Sequence, residues 1–133
     1  MAPGYARAEA LVSQNSFSWL GGVNPRTGEV VDRKHDCYGT KLAGKVFVYP
    51  YGKGSTTGAI VFLENVRRGV HPAALINIKM EPITSVGAML APMLYNVSIP
   101  AVDRLDADPT RVIRTGDIVE VDGSLGLVKI HRG

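Results

Sequence analysis

Residues 45–59 read KVFVYPYGKGSTTGA, and two different patterns meet in this stretch. Residues 45–49 are a run of strand-forming residues that is typical of a buried strand. From residue 56 to residue 68 the apolar side chains recur at the i, i+3, i+4, i+7 spacing of a helix: Ala59, Phe62, Leu63 and Val66. Gly69 follows, where a C-terminal cap belongs. The stretch therefore predicts a strand, a glycine-rich loop and a helix, in that order.

Short apolar runs elsewhere in the chain indicate further strands, at residues 8–13, 17–20 and 73–79. Residues 21–32 contain Gly-Gly, Asn-Pro and Thr-Gly, which mark tight reversals. Near the C-terminal end, residues 117–121 and 125–130 flank Asp122-Gly123, and this arrangement predicts a hairpin with an Asp-Gly turn.

A second helix is predicted by apolar residues at helical spacing: Val86, Met89, Leu90 and Met93. Thr84 or Ser85 is its expected N-cap. Pro92 lies inside the pattern and is expected to end or kink the helix one turn early, because proline has no amide hydrogen to donate. Strands that bracket two principal helices predict a mixed α/β domain with antiparallel pairing at its end.

Length and composition limit what the chain can be. At 133 residues it is expected to form a single domain over residues 1–133, with residues 1–7 as a flexible N-terminal tail. The net charge of +3 is spread along the chain without a run of five basic residues, so we expect no nucleic-acid partner. Neither a signal-peptide core nor an apolar stretch of about 18 residues is present, which predicts no membrane span and a cytoplasmic location.

The glycine-rich loop between the predicted strand at residues 45–49 and the helix that begins at residue 56 could have several roles. A Walker A loop needs lysine directly before the hydroxyl residue, but Gly54 separates Lys53 from Ser55, and this argues against nucleotide hydrolysis. Ser55 could simply cap the helix, a role worth about 1 kcal/mol. Alternatively, the loop could bind an anion at the free amide groups of the helix N-terminus, with Lys53, Thr56 and Thr57 beside it.

Four segments together resemble the small, swivelling-domain subunit of the aconitase X family: GGVNPRTGEVVD (21–32), VFVYPYGKGSTTGA (46–59), EPITSVGAMLA (81–91) and IPAVDRLDADPTRVIRTGDIVEVDG (99–123). The resemblance implies a β/β/α swivelling domain that pairs with a separate large subunit. It implies that the large subunit holds an iron–sulfur cluster, [4Fe-4S], and that this chain binds no cofactor alone. By motif, Ser55 is the proton acceptor, with Lys53, Gly54, Thr56 and Thr57 as substrate-binding residues.

The family divides by substrate. Resemblance to its archaeal mevalonate group implies a hydro-lyase that dehydrates (R)-5-phosphomevalonate to trans-anhydromevalonate 5-phosphate, so the substrate is small and anionic. Other members dehydrate cis-3-hydroxy-L-proline. A hypothesis from another functional class also remains: the chain could be a non-catalytic phosphate- or anion-binding module in which Ser55 only caps the helix.

The remaining polar and sulfur-containing residues have structural interpretations. His35, Asp36 and Cys37 suggest metal ligands, but adjacent side chains are expected to diverge, so a turn or a partner-facing edge is predicted and no metal site. Three methionines, Met80, Met89 and Met93, are expected to fill the core. Asn24 and Arg26 lie in a turn that the family shares and are candidates for contact with the partner or the site.

Overall fold

The structure, a computed structural model, describes residues 2–53 and 56–131. Over these residues it contains one six-stranded sheet in the order β4-β3-β2-β1-β5-β6. The strands are β1 (Tyr5–Val12), β2 (Val46–Tyr51), β3 (Ala74–Lys79), β4 (Ala101–Val102), β5 (Ile118–Asp122) and β6 (Leu127–His131). The helices are α1 (Trp19–Gly22), α2 (Thr56–Arg67), α3 (Pro82–Tyr95) and α4 (Pro109–Val112).

The sheet has a parallel half and an antiparallel half. Strands β1 to β4 run parallel to one another, whereas β1–β5 and β5–β6 are antiparallel pairs. Helices α2 and α3 are the crossovers that parallel pairing requires. The predicted α/β domain with mixed strands and two principal helices is therefore confirmed.

Two hydrophobic clusters cover the two faces of the central strands. Phe47 and Tyr49 of β2 join one cluster with Phe62 of α2, and Val46 and Val48 join the other. A parallel strand that is covered on both faces reads as a continuous apolar run rather than an alternating one. This explains why residues 46–50 are all buried.

The first helix agrees with the sequence pattern. Phe62 and Val66 are buried, and Gly69 follows the helix with a φ of +71°, donating its amide hydrogen to the Val66 carbonyl at 3.0 Å. Glycine adopts such a left-handed conformation without steric cost, and this ends the helix.

Helix α3 differs from its prediction in bounds and in orientation. It begins at Pro82 rather than after Thr84 or Ser85, and it passes through Pro92 to Tyr95. Its described buried residues are Thr84, Gly87, Ala88 and Ala91, none of them large, and a Cβ added at Gly87 would lie 3.4 Å from the Phe62 ring. Close approach to α2 favours these small residues on the inner side. The predicted core roles of Met89 and Met93 are therefore wrong, because both side chains point outward.

The N-terminal residues belong to the sheet. Ala2 is buried and exchanges backbone hydrogen bonds with Ala101 at 3.0 and 3.1 Å. Strand β1 begins at Tyr5, whose hydroxyl donates to Glu120 of β5. The flexible tail predicted for residues 1–7 is wrong over residues 2–7, because pairing with distant segments holds them in place; Met1 lies outside the described residues.

Two further predictions need correction. Residues 17–20 are not a strand: Phe17 forms a single bridge to Gly52, and the chain then turns into α1, where Gly21 has a φ of +81°. The C-terminal hairpin is confirmed, but its strands close at the pair Asp122–Leu127 across a four-residue loop rather than a two-residue turn. Within the described residues, no helix has both the length and the apolar character that crossing a bilayer requires.

Candidate functional site

The C-terminal ends of β1, β2 and β3 bring three connecting segments to one edge of the sheet: residues 13–17, 52–53 and 80–81. Phe17 links the first two, since its amide donates to the Tyr51 carbonyl at 3.0 Å and its carbonyl accepts from Lys53 N–H at 2.9 Å. In open α/β sheets, ligands bind outside the carboxyl ends of parallel strands. This edge is therefore the candidate site.

Residues 52–53 and 56–57, on either side of the glycine-rich loop's Gly54 and Ser55, lie in the middle of this edge, after β2. Lys53 is exposed, and Thr56 is the first residue of α2, so the N-terminal end of the helix, the positive end of its dipole, faces the edge. Thr57 is exposed in the first turn of α2. Gly54 and Ser55 lie outside the described residues, as does the side chain of Thr56, and the roles assigned to these residues stay predictions.

Glu81 is a member of the edge that the sequence pattern did not reveal. A Cβ added at Gly52 would lie 2.6 Å from Glu81 Cγ, so this side chain packs directly against the loop. Its carboxylate accepts hydrogen bonds from the backbone and the hydroxyl of Thr84, and so caps α3. The sequence did carry a signal, since Glu-Pro three residues before a threonine is typical of a helix start with proline at the first position.

We expect the contact between Gly52 and Glu81 to appear as an energetic coupling. Gly52→Ala should lower the free energy of unfolding by about 1–3 kcal/mol, because the added methyl group overpacks against Glu81. In a Glu81→Ala background, which lacks that methylene, the same change should cost markedly less. A double-mutant cycle from urea unfolding measures this, and additive effects would contradict the contact.

A partly buried hydrogen-bond network lies at the end of β1, beside this edge. The Ser13 hydroxyl, at the end of β1, donates to Asp36 Oδ1 at 2.6 Å and lies 3.2 Å from His35 Nε2. The other carboxylate oxygen of Asp36 accepts from Gln14 N–H at 2.8 Å. The His35 ring is buried and packs edge-on against Phe17, with centroids 5.3 Å apart. The network thus anchors the same segment that pairs with the loop.

The prediction that the side chains of residues 35–37 diverge is wrong. Residues 33–39 form turns and a bend, in agreement with the predicted turn, but ligand atoms of His35, Asp36 and Cys37 lie within 4.8 Å of one another. Cys37 N–H donates to His35 Nδ1 at 3.1 Å and the Ser13 hydroxyl donates to Asp36, so both side chains already have hydrogen-bond partners, and the absence of a metal site stays a prediction. Burial, with the nearby Asp36 charge, raises the pKa of the Cys37 thiol to about 12.

Burial and hydrogen bonding shift the pKa values of His35 and Asp36 in this network. Burial lowers the pKa of His35, more strongly than the Asp36 charge raises it, and the positive charge of Lys53 lowers it further. Burial alone would raise the pKa of Asp36, but the hydrogen bonds from Ser13 and Gln14 outweigh this effect, so its pKa is below the ordinary value. The network therefore holds a neutral imidazole beside a carboxylate.

The lowered pKa of His35 predicts that the protein loses stability on acidification. Below pH ~6.5 the unfolded chain takes up a proton that the folded chain refuses, so the free energy of unfolding should fall until the pH reaches the lower folded pKa. One proton contributes at most about 1.4 kcal/mol per pH unit. His35→Gln should flatten the slope measured by urea unfolding between pH 7 and pH 5, with His71→Gln as the reference for losing a histidine outside the network. An unchanged slope in His35→Gln would contradict this assignment.

Asn24 and Arg26 do not join the candidate site. The Asn24 side chain accepts from Arg26 N–H at 2.9 Å within its own turn, and Asn65 of α2 donates to the Pro25 carbonyl at 3.0 Å. Asn65 lies about 13 Å along the helix axis from Thr56 at 1.5 Å per residue. A contact of Asn24 or Arg26 with the site or with a partner stays a prediction.

Comparisons with known proteins agree with this arrangement. The family described as the aconitase X swivel domain matches residues 1–130. The phosphomevalonate dehydratase small subunit of Methanocella arvoryzae is 46% identical over 127 residues, covering 96% of this chain and 92% of that protein. The protein of the same name from Methanococcoides burtonii is 45% identical over 130 residues, covering 98% of this chain and 90% of its own.

A solved structure extends the similarity to three dimensions. The crystal structure of Thermococcus kodakaraensis aconitase X in its holo-form matches with a TM-score of 0.88 and 37% sequence identity, covering 98% of this chain and 93% of that chain. The resemblance seen in the sequence motifs is confirmed. The chain belongs to the aconitase X swivel-domain family.

Proposed function

We propose that this chain is the small subunit of a cytoplasmic hydro-lyase that dehydrates (R)-5-phosphomevalonate to trans-anhydromevalonate 5-phosphate. The observation that carries the proposal is the nearly end-to-end similarity to proteins named phosphomevalonate dehydratase small subunit. The geometry supports it, because Gly52, Lys53 and the N-terminus of α2 lie at the C-terminal edge of the parallel strands, where ligands bind in open α/β sheets.

The proposed proton acceptor is Ser55. A serine hydroxyl is as weak a base as water, whose pKa is ~15.7, and lowering this value to about 7 requires roughly 11–12 kcal/mol. A helix N-terminus contributes about 0.3–2 kcal/mol, and each charge-assisted hydrogen bond about 1.5–3 kcal/mol. Lys53 and α2 therefore cannot activate Ser55 alone. The site needs a partner that closes it and excludes water.

The large subunit is the proposed source of that closure. Removing a hydroxyl group is helped by a Lewis acid, and we place the expected [4Fe-4S] cluster in the large subunit. This chain does not fit such a group, since Cys37 is its single cysteine and is held as a buried, protonated thiol, whereas clusters are bound by several thiolates. What this chain offers the substrate is a loop with a lysine, hydroxyl groups and the positive end of the α2 dipole.

Glu81 favours a second candidate substrate. The alternative, cis-3-hydroxy-L-proline, carries a ring ammonium group that a carboxylate would recognise, and Glu81 brings a carboxylate to the loop. Its oxygen, however, already accepts from Thr84 at the start of α3. We therefore keep phosphomevalonate as the first assignment, with Lys53 as the cationic contact.

Reconstitution with the large subunit tests the proposal. The purified pair is assayed with 5-phosphomevalonate and with cis-3-hydroxy-L-proline, and each chain is assayed alone. We expect turnover of phosphomevalonate by the pair only. Preference for hydroxyproline would contradict the assignment of phosphomevalonate as the substrate. Turnover by the isolated small chain would contradict the proposal that the reaction needs both subunits.

A further inference from the structure

Helix α3 presents large apolar side chains to its exposed side. Val86, Met89 and Met93 follow the i, i+3, i+7 spacing of one helix face and are 49%, 53% and 80% exposed. Leu94, beside them, is 57% exposed. We call these four residues the outer face of α3. Monomeric proteins seldom leave contiguous apolar patches larger than a few hundred Å² uncovered, and larger ones mark interaction sites.

The composition of α3 separates this face from an ordinary solvated surface. Residues 82–95 contain no Asp, Glu, Lys or Arg. On neighbouring α2, by contrast, Glu64 bonds to Arg67 and Arg68, as a solvent-facing helix usually does. Depletion of charge and enrichment of methionine are features of the buried centre of protein interfaces. The outer face of α3 therefore has the composition of a protein–protein interface rather than of a solvent-exposed surface.

The position of the helix indicates what covers it. Glu81, the cap of α3, packs against Gly52 of the candidate loop, so the helix starts at the candidate site and runs away from it. A partner that closes over the loop therefore comes next to the first turns of α3, whose own residues 82–95 carry no charged side chain. A second copy of this chain would cover the same face but would add no new chemistry to the site.

We propose that the outer face of α3 is a docking surface for the large subunit, a proposal that rests on the proposed function because that function supplies the partner. The large subunit then holds the swivelling domain through α3 while it closes on the glycine-rich loop. The surface of the large subunit that contacts the outer face of α3 is then expected to be apolar.

Charge placed at the centre of this face tests the proposal. Met89→Glu and Met93→Glu are made in the full chain, with Leu125→Glu as the matched control, because Leu125 is 75% exposed in the loop between β5 and β6. We expect Met93→Glu and Met89→Glu to weaken binding of the large subunit at least ~10-fold, while Leu125→Glu binds like the unmodified chain. Binding is measured by titration of the purified subunits, and thermal unfolding of each variant shows that its fold is retained.

Two results would overturn the proposal. The first is that Met89→Glu and Met93→Glu both bind the large subunit as tightly as Leu125→Glu does. The other is self-association of the unmodified chain in sedimentation that Met93→Glu abolishes without weakening the large-subunit complex, which would assign the face to a second copy. The binding measurement does not depend on turnover. If the pair fails to dehydrate phosphomevalonate yet Met93→Glu still weakens the complex, the proposed function falls and the docking surface stands.

Discussion

Replacing Ser55 with alanine should lower kcat of the assembled enzyme by ~10²–10⁴-fold. This is the usual contribution of one positioned acid–base group. Assembly should be unaffected, since the change removes a single oxygen. Steady-state rates of the reconstituted pair with 5-phosphomevalonate measure the loss. Ser124→Ala, in the loop between β5 and β6, is the control for losing a hydroxyl group away from the site.

A second variant separates catalysis from helix capping at the same position. Asparagine is as good an N-cap as serine, but it has no hydroxyl group to accept and pass on a proton. Ser55→Asn should therefore retain the stability of the serine form and still lose activity. If Ser55→Asn is active, or if Ser55→Ala loses only about 1 kcal/mol of stability and keeps its rate, the capping interpretation is correct.

Removing the phosphate from the substrate should lower kcat/KM at least ~10²-fold. The phosphate carries about −1.5 to −2 charges, and loss of a group that is hydrogen-bonded and charge-paired in the transition state costs several kcal/mol of binding energy. The comparison is between 5-phosphomevalonate and mevalonate with the same reconstituted pair.

Lys53 should account for part of this discrimination. Lys53→Met should narrow the ratio between the two substrates, while Lys129→Met, on the exposed side of β6, should leave the ratio as it is. Equal efficiencies with and without the phosphate would remove phosphate recognition from the proposed function. If the ratio of the two kcat/KM values is unchanged in Lys53→Met, the phosphate is recognised by the large subunit instead.

Local patterns were sufficient for the centre of the fold. The run at residues 45–49 and the spacing of Phe62 and Val66 encode β2 and α2 directly, because burial on one helix face is a short-range property of the sequence. Helix α3 shows the limit of the same reasoning. Its large residues Met89 and Met93 have the periodicity of a core face, yet they are exposed, whereas smaller residues such as Ala88 and Ala91 are buried. Periodicity identifies a face but does not tell which neighbour covers it.

The candidate site was only partly accessible from the sequence, for a different reason. The glycine-rich loop is contiguous in the chain, so its residues could be recognised together. Glu81 and the pair Ser13–His35 reach the edge from separate strand ends and turns, and only the strand order brings them together. Such contacts depend on topology, which a linear pattern does not specify.

The place of β1 in the sheet has a consequence for how the chain folds during synthesis. Strand β1 lies between β2 and β5, and the bonded residues Tyr5 and Glu120 are 115 positions apart. When β2 and α2 have left the ribosome, one edge of β1 can already pair, but the other must wait until β5 is made. At elongation rates of about 5–20 residues per second, that edge stays open for several seconds or longer. An unpaired strand edge is a template for wrong association, so nascent chains of this domain should depend on chaperones most strongly just before β5 emerges.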